Sequence, residues 1–134
     1  MYNADPSVTS YLYYQNISDL QLQTLLNYAP VGVLIYADSG FMSYSSGIYS
    51  GCPAFTTSYS NINHAVILIG YDASGNWIIK NQWNTGWGES GFARISGTNN
   101  CALNAWVYQY SSTTPFSGST SYTVTSFFTT TTKF

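Results

Sequence analysis

The clearest periodic segment of the chain begins at Ser18. Ser18 followed three positions later by Gln21 makes a capping box, and Ile17 with Leu22 can form the hydrophobic staple beside it. Leu22, Leu25, Leu26 and Ala29 then recur at helical spacing until Pro30 stops the run, which predicts a helix. Residues 31–37 are apolar almost throughout, the pattern of a strand buried on both faces. Residues 38–62, rich in Ser, Gly, Tyr and Thr, read as a long loop with one short strand at most. Strands are predicted at 64–71 and 76–81, joined through Asp72-Ala73-Ser74-Gly75 as a hairpin. Gly86, Gly88 and Gly91 break up the next segment, and strand-like runs return at 91–95 and 105–110. One helix followed by strands and turns implies an α+β fold, an antiparallel sheet with a helix to one side.

Length and composition narrow this picture. The 134 residues suffice for one small domain. Past Tyr110 the chain turns Ser/Thr-rich, ending in Phe127-Phe128-Thr129-Thr130-Thr131-Thr132. The domain is therefore placed at 1–110, with a peripheral or disordered tail at 111–134. Charged residues make up only 6% of the chain, against about a quarter in an ordinary domain. The net charge is -2, and Lys80, Arg94 and Lys133 are the only cations. Three scattered cations build no basic patch, so nucleic-acid binding is set aside. The apolar stretch at 30–37 is too short to span a bilayer, so no membrane partner is expected. Residues 1–16 have neither a basic region nor an apolar run and are not a signal peptide. Either a leader lies upstream or the chain is cytosolic, so Met1 is not taken as the natural start.

The two cysteines, Cys52 and Cys101, stand 49 positions apart. One histidine and no CxxC leave too few ligands for zinc, and no metal site is expected. A disulfide would close a long loop and stabilise by about 4 kcal/mol in the chain-entropy model. Two buried thiols are the alternative.

His64, the only histidine, opens an apolar strand. Seventeen positions on stands Asn81, and a hairpin between them would bring both side chains to its open end. An asparagine oxygen there can accept from one imidazole nitrogen, fix the ring's tautomer, and leave the other nitrogen to face a nucleophile. Trp83 can cover that hydrogen bond and exclude water from it. An ordinary hairpin with a structural histidine and tryptophan would have the same spacing.

The blocks Asn63-His64-Ala65-Val66, Lys80-Asn81-Gln82-Trp83 and Gly86-Trp87-Gly88-Glu89-Ser90-Gly91-Phe92 resemble the histidine and asparagine blocks of papain-family cysteine proteases. The likeness runs from about Tyr11 to Tyr110, taking in the helix, the strand after Pro30 and the Gly47-Ile48-Tyr49-Ser50-Gly51-Cys52 segment. It implies the antiparallel, barrel-like right-hand lobe of that fold, with one main helix and without the N-terminal helical lobe. It implies His64 as catalytic acid and base, Asn81 as its orienter and Trp83 as shield. It places Leu34, Asn63, Ala65 and, on a looser alignment, Trp106 at the substrate-binding side, and pairs Cys52 with Cys101. Amide hydrolysis through a thiolate–imidazolium pair is the implied chemistry, as in papain, whose lowered thiol pKa is a standard example. No cofactor is implied.

The family's nucleophile lies in a Cys-Gly-Ser-Cys-Trp type of block, and this sequence has none. The expected partners are accordingly a peptide or protein substrate and a helical lobe, supplied by the same longer chain or by a second chain. Alone, the chain is expected to be inactive and to expose an apolar face around Trp83, Trp87 and Leu34. The resemblance implies a lysosomal, vacuolar or extracellular site of action. A catalytically inactive peptide-binding or interaction module is the other reading. Two local departures stand out: Gln82 replaces the family's usual serine, and Asn84 replaces a glycine, as asparagine can where φ is positive.

Overall fold

The capping box at Ser18 forms as the sequence predicts. Its Oγ accepts from the Gln21 backbone N–H at 3.2 Å, and Gln21 Oε1 accepts from the Ser18 N–H at 2.8 Å. The computed structural model describes residues 8–52 and 61–112, with side chains placed for 11–52 and 61–109. In it the helix α1 runs Asp19–Leu26 and ends at Asn27, one turn short of Pro30. Leu22 is fully buried, and Leu25, Leu26 and Ile17 pack around it against the core.

After α1 come β2 (Val31–Ile35), α2 (Ser39–Met42), β3 (Ile48–Tyr49), β4 (His64–Tyr71), β5 (Trp77–Lys80), β6 (Phe92–Ile95) and β7 (Trp106–Ser112). Before α1 runs β1 (Val8–Gln15). The seven strands form one sheet in the order β1-β7-β2-β4-β5-β6-β3. Its pairs are antiparallel except β3 with β6, which is parallel. Among the described residues the sheet stays open, with β1 and β3 at its two ends, so the expected barrel-like closure is not formed.

Three expectations need correcting. First, β1 was not foreseen: Tyr11-Leu12-Tyr13-Tyr14 lacks the alternation that marks a strand, and its pairing with β7 decides its conformation. Second, the stretch read as loop contains α2, a single turn capped by the Asp38 carboxylate, which accepts from the Phe41 N–H at 2.7 Å. Third, β2 is buried on one face only: Val31, Val33 and Ile35 point into the core, whereas Gly32 and Leu34 are half-exposed. The expected tail boundary falls inside β7, which continues through Ser111 and Ser112; residues 113–134 lie outside the described residues.

The hairpin between β4 and β5 turns at Asp72, whose Oδ1 accepts from the backbone N–H groups of Ser74 and Asn76, both at 2.9 Å. A bulge between Leu68 and Gly70 shifts the ladder, and Ile67 pairs with Lys80. Carried to the open end of the hairpin, that register sets Ala65 against Gln82 and His64 against Trp83. Val66, Leu68, Trp77, Ile79, Ala93, Ile95 and Val107 join the buried face of β2 in the core. Cys52 and Cys101 are joined in a disulfide, with Cα atoms 5.0 Å apart, tying the segment after β3 to the segment before β7.

Candidate active site

Strand alternation decides which side chains meet at the open end of the β4–β5 hairpin. His64 shares a face with Val66 and Leu68, while Ala65 and Ile67 point the other way. Asn81, just beyond β5, projects to the side of His64 and is buried. His64 Nε2 lies 2.9 Å from Asn81 Oδ1. The same oxygen accepts the Gln82 backbone N–H at 2.9 Å.

That second bond settles the chemistry of the first. A backbone N–H needs an acceptor, so the oxygen and not the nitrogen of the Asn81 amide faces both groups. The proton of the pair therefore sits on His64 Nε2, and the imidazole presents Nδ1 as the nitrogen that can take or give a proton. Among the described residues Nδ1 has no hydrogen-bond partner. Among the described residues Asn81 Nδ2 is buried with no partner, which costs about 1–3 kcal/mol for such a donor. An unsatisfied buried amide beside a free imidazole nitrogen marks geometry kept at the expense of stability.

Trp83 stacks on the imidazole, with ring centroids 4.5 Å apart and planes inclined by 29°. It screens the His64–Asn81 bond from water and offers a π-face to the imidazolium. Trp83 in turn meets Trp87 edge-on at 5.3 Å and Phe41 at 5.9 Å. Trp87 is not part of an exposed face, as the sequence suggested, but buried. Its Nε1 donates to the carbonyls of Phe41 at 3.2 Å and Met42 at 3.0 Å. The unforeseen α2 is thus the brace on which both tryptophans lean.

The loop that holds them passes through positive φ at Asn84, Gly88, Ser90 and Gly91. Asn84 adopts φ 65°, as the replacement of a glycine implied, and its Oδ1 accepts from the Gly86 N–H at 2.8 Å. At Gly88, φ is 59° and a Cβ would lie 2.5 Å from the Phe92 carbonyl oxygen, so only glycine fits. Glu89 clamps the loop from outside. Its carboxylate takes a two-pronged bond from Arg94, at 2.9 and 2.5 Å, and accepts from the Gly47 N–H at 3.0 Å. The Arg94 hydrogen bond holds the Glu89 carboxyl below its usual range. Behind it, the Tyr49 hydroxyl donates to Asp38 and lowers that carboxyl too.

On the opposite face of the sheet a cavity of about 310 Å³ is lined by Gly32, Val33, Leu34, Ala65, Val66, Ile67, Gln82 and Tyr108. Leu34 and Ala65, expected at the substrate side, line it together. Trp106 does not; it stacks on Tyr13 at 5.3 Å, and Tyr108, paired with Gly32, stands at the cavity instead. Asn63 turns its amide to the backbone of Ala37, accepting its N–H at 2.8 Å and donating to its carbonyl at 3.0 Å. Ile67, Gln82 and Tyr108 were missed as lining residues. The alternation of β4 outward from Ala65 would have found Ile67; Tyr108 needed the β2–β7 pairing, which the sequence does not carry. Among the described residues no cluster of three or more His, Cys, Asp or Glu could hold a metal, and no helix is long and apolar enough to cross a membrane.

Comparison with known proteins places this arrangement in context. The protein-family description "Papain family cysteine protease" matches residues 3–111. "Gamete and mating-type specific protein A" of Dictyostelium discoideum is 43% identical over 91 residues, which are 67% of this chain and 19% of that protein. "Cathepsin L-like proteinase" of Fasciola hepatica is 39% identical over 93 residues, 66% of this chain and 28% of that protein. The solved cysteine protease of Carica candamarcensis in complex with E-64 superposes with a TM-score of 0.67 at 27% identity, covering 83% of this chain and 52% of that one. The chain thus spans less than a third of these curated relatives and about half of the solved protease.

Proposed function

This chain belongs to the papain family of cysteine proteases, and from that premise we propose that it is the histidine- and asparagine-bearing lobe of a cysteine-type peptidase. The observation that carries the reading is the 2.9 Å bond from His64 Nε2 to Asn81 Oδ1 under the ring of Trp83, with Nδ1 left uncommitted. A binding module would gain nothing from an oriented imidazole and a buried, half-satisfied amide.

The nucleophile comes from a helical lobe, either on the same longer chain or on a second one. Both cysteines of this chain are in the disulfide, which supports the reading that the chain alone lacks a nucleophile and is inactive. With the lobe in place, the thiol gives its proton to His64 Nδ1, forming the thiolate–imidazolium pair. The thiolate attacks the peptide carbonyl carbon, and Nδ1–H protonates the leaving amine as the C–N bond breaks. Nδ1 then takes a proton from water, whose oxygen attacks the thioester and releases the acid and the thiol. Asn81 keeps Nε2–H in place throughout, and Trp83 shields that bond. No metal or organic cofactor enters the reaction. The cavity at Leu34 and Ala65 receives the substrate side chain two before the scissile bond. A disulfide of this kind fits passage through the oxidising ER lumen on the way to a lysosome, vacuole or extracellular space.

The test is to read the coding sequence upstream of Met1 and to assay the longest product for hydrolysis of peptides. An in-frame helical lobe with a Cys-Gly-Ser-Cys-Trp-like block, and thiol-dependent hydrolysis, bear the proposal out. A natural start at Met1, with no lobe-bearing partner co-purifying and no hydrolysis, leaves an inactive interaction module instead.

A further inference from the structure

We propose that Gln82 makes the cavity at Leu34 and Ala65 selective for a tyrosine side chain over phenylalanine; the inference rests on reading that cavity as the substrate pocket. Gln82 follows Asn81 in an extended segment, so its side chain leaves on the opposite face of the sheet and borders the cavity. Its Nε2 donates to the Ala65 carbonyl at 3.0 Å. A carbonyl demands a donor, so this bond fixes which end of the amide is which. The remaining atom, Oε1, has no partner among the described residues and is the acceptor left for an occupant.

The rest of the lining says what that occupant is. Leu34, Ala65 and Ile67, on the face turned away from the core, are aliphatic, and Tyr108 adds a ring, so the body of the occupant must be apolar. Among the described residues no carboxylate lines the cavity, and Lys80 stands on the same face, opposite Ile67 in the ladder. A cationic side chain would enter unpaired and beside a like charge. An anionic one would meet the Gln82 acceptor. A flat apolar ring with one neutral donor at its tip satisfies every wall, and among natural side chains the phenol of tyrosine is the simplest fit. One residue thereby serves both faces of the sheet: its backbone N–H orients Asn81, and its side chain reads the substrate.

The experiment titrates the isotope-labelled chain with N-acetyl-tyrosine methylamide and with N-acetyl-phenylalanine methylamide, following the resonances of Leu34, Ala65, Ile67 and the Gln82 side-chain amide. The tyrosine probe is expected to bind about 3–10-fold more tightly, the range of one neutral hydrogen bond. In Gln82→Met, which keeps length and removes the acceptor, the two probes should bind alike, with the phenylalanine affinity within about twofold of the parent's. Equal affinities in the parent chain, a preference that survives in Gln82→Met, or no shift at the cavity with either probe would each overturn the proposal. The parent ratio decides the matter even if the variant fails to fold. Because binding is read without turnover, failure of the peptidase reading appears separately, as a chain that selects tyrosine but belongs to no hydrolysing protein.

Discussion

Asn81 Oδ1 and His64 Nε2 stand 2.9 Å apart across the open end of a hairpin whose strands continue their register to meet there. The bond fixes the imidazole as the Nε2–H tautomer. Nitrogen chemical shifts of the labelled chain should report that tautomer for the neutral ring. In Asn81→Ala the ring should revert to a mixture of tautomers while the β4 and β5 amide shifts remain in place. A ring equally mixed in the parent chain would contradict the geometry.

Gly88 is held at φ 59° with the Phe92 carbonyl 2.5 Å from where a Cβ would sit. Gly88→Ala is therefore expected to destabilise by about 2 kcal/mol or more, from left-handed backbone and clash together. Asn84→Gly, also at positive φ, should cost no more than about 1 kcal/mol, because glycine accepts the backbone and only the exposed bond from the Gly86 N–H is lost. Chemical denaturation of the two variants side by side separates strain at Gly88 from a general intolerance of the loop.

The Cys52–Cys101 bridge closes a loop of 49 positions. Replacing both cysteines by serine should lower stability by about 4 kcal/mol in the chain-entropy model. Denaturant midpoints of the paired variant and the parent measure this directly, and an unchanged midpoint would contradict it.

Acid should unfold the chain through its clamped carboxylates. Glu89, bonded by Arg94, and Asp38, bonded by Tyr49, both titrate below their ordinary values of 4.5 and 3.8 when folded. Their contribution is present above those ordinary values and is lost as pH falls through the folded ones. Stability should hold from neutral pH to about 4.5 and decline below it. Glu89→Gln should flatten part of that decline and lose stability at neutral pH. Partial solvent exposure of both Glu89 and Arg94 keeps the effect modest.

Much of the fold was legible in the sequence because its signals were local. Ser18 and Gln21 announced α1, Asp72 through Gly75 announced the hairpin, and the fixed offset from His64 to Asn81 carried the candidate site. The features that escaped depended on partners distant along the chain. Tyr11 through Tyr14 become a strand only beside β7. The half-open face of β2 could not be told from a fully buried one, since Leu34 lines a cavity with residues that also suit a core. Trp87 was placed on a surface because nothing near it in sequence foretold α2, whose last carbonyls it satisfies. Gln82 stood out only as a departure from a family pattern, and its two bonds gave that departure a meaning.

His64, held by Asn81, is proposed to move the proton in peptide hydrolysis. The most direct test isolates the native protein that contains this chain, with whatever lobe accompanies it, and compares kcat/KM for peptide hydrolysis with that of His64→Ala and Asn81→Ala. Thiol-dependent hydrolysis is expected in the parent, with a loss of at least about 10²-fold in His64→Ala and a smaller loss in Asn81→Ala. A folded native protein that hydrolyses no peptide, or one whose rate is indifferent to His64→Ala, would contradict it.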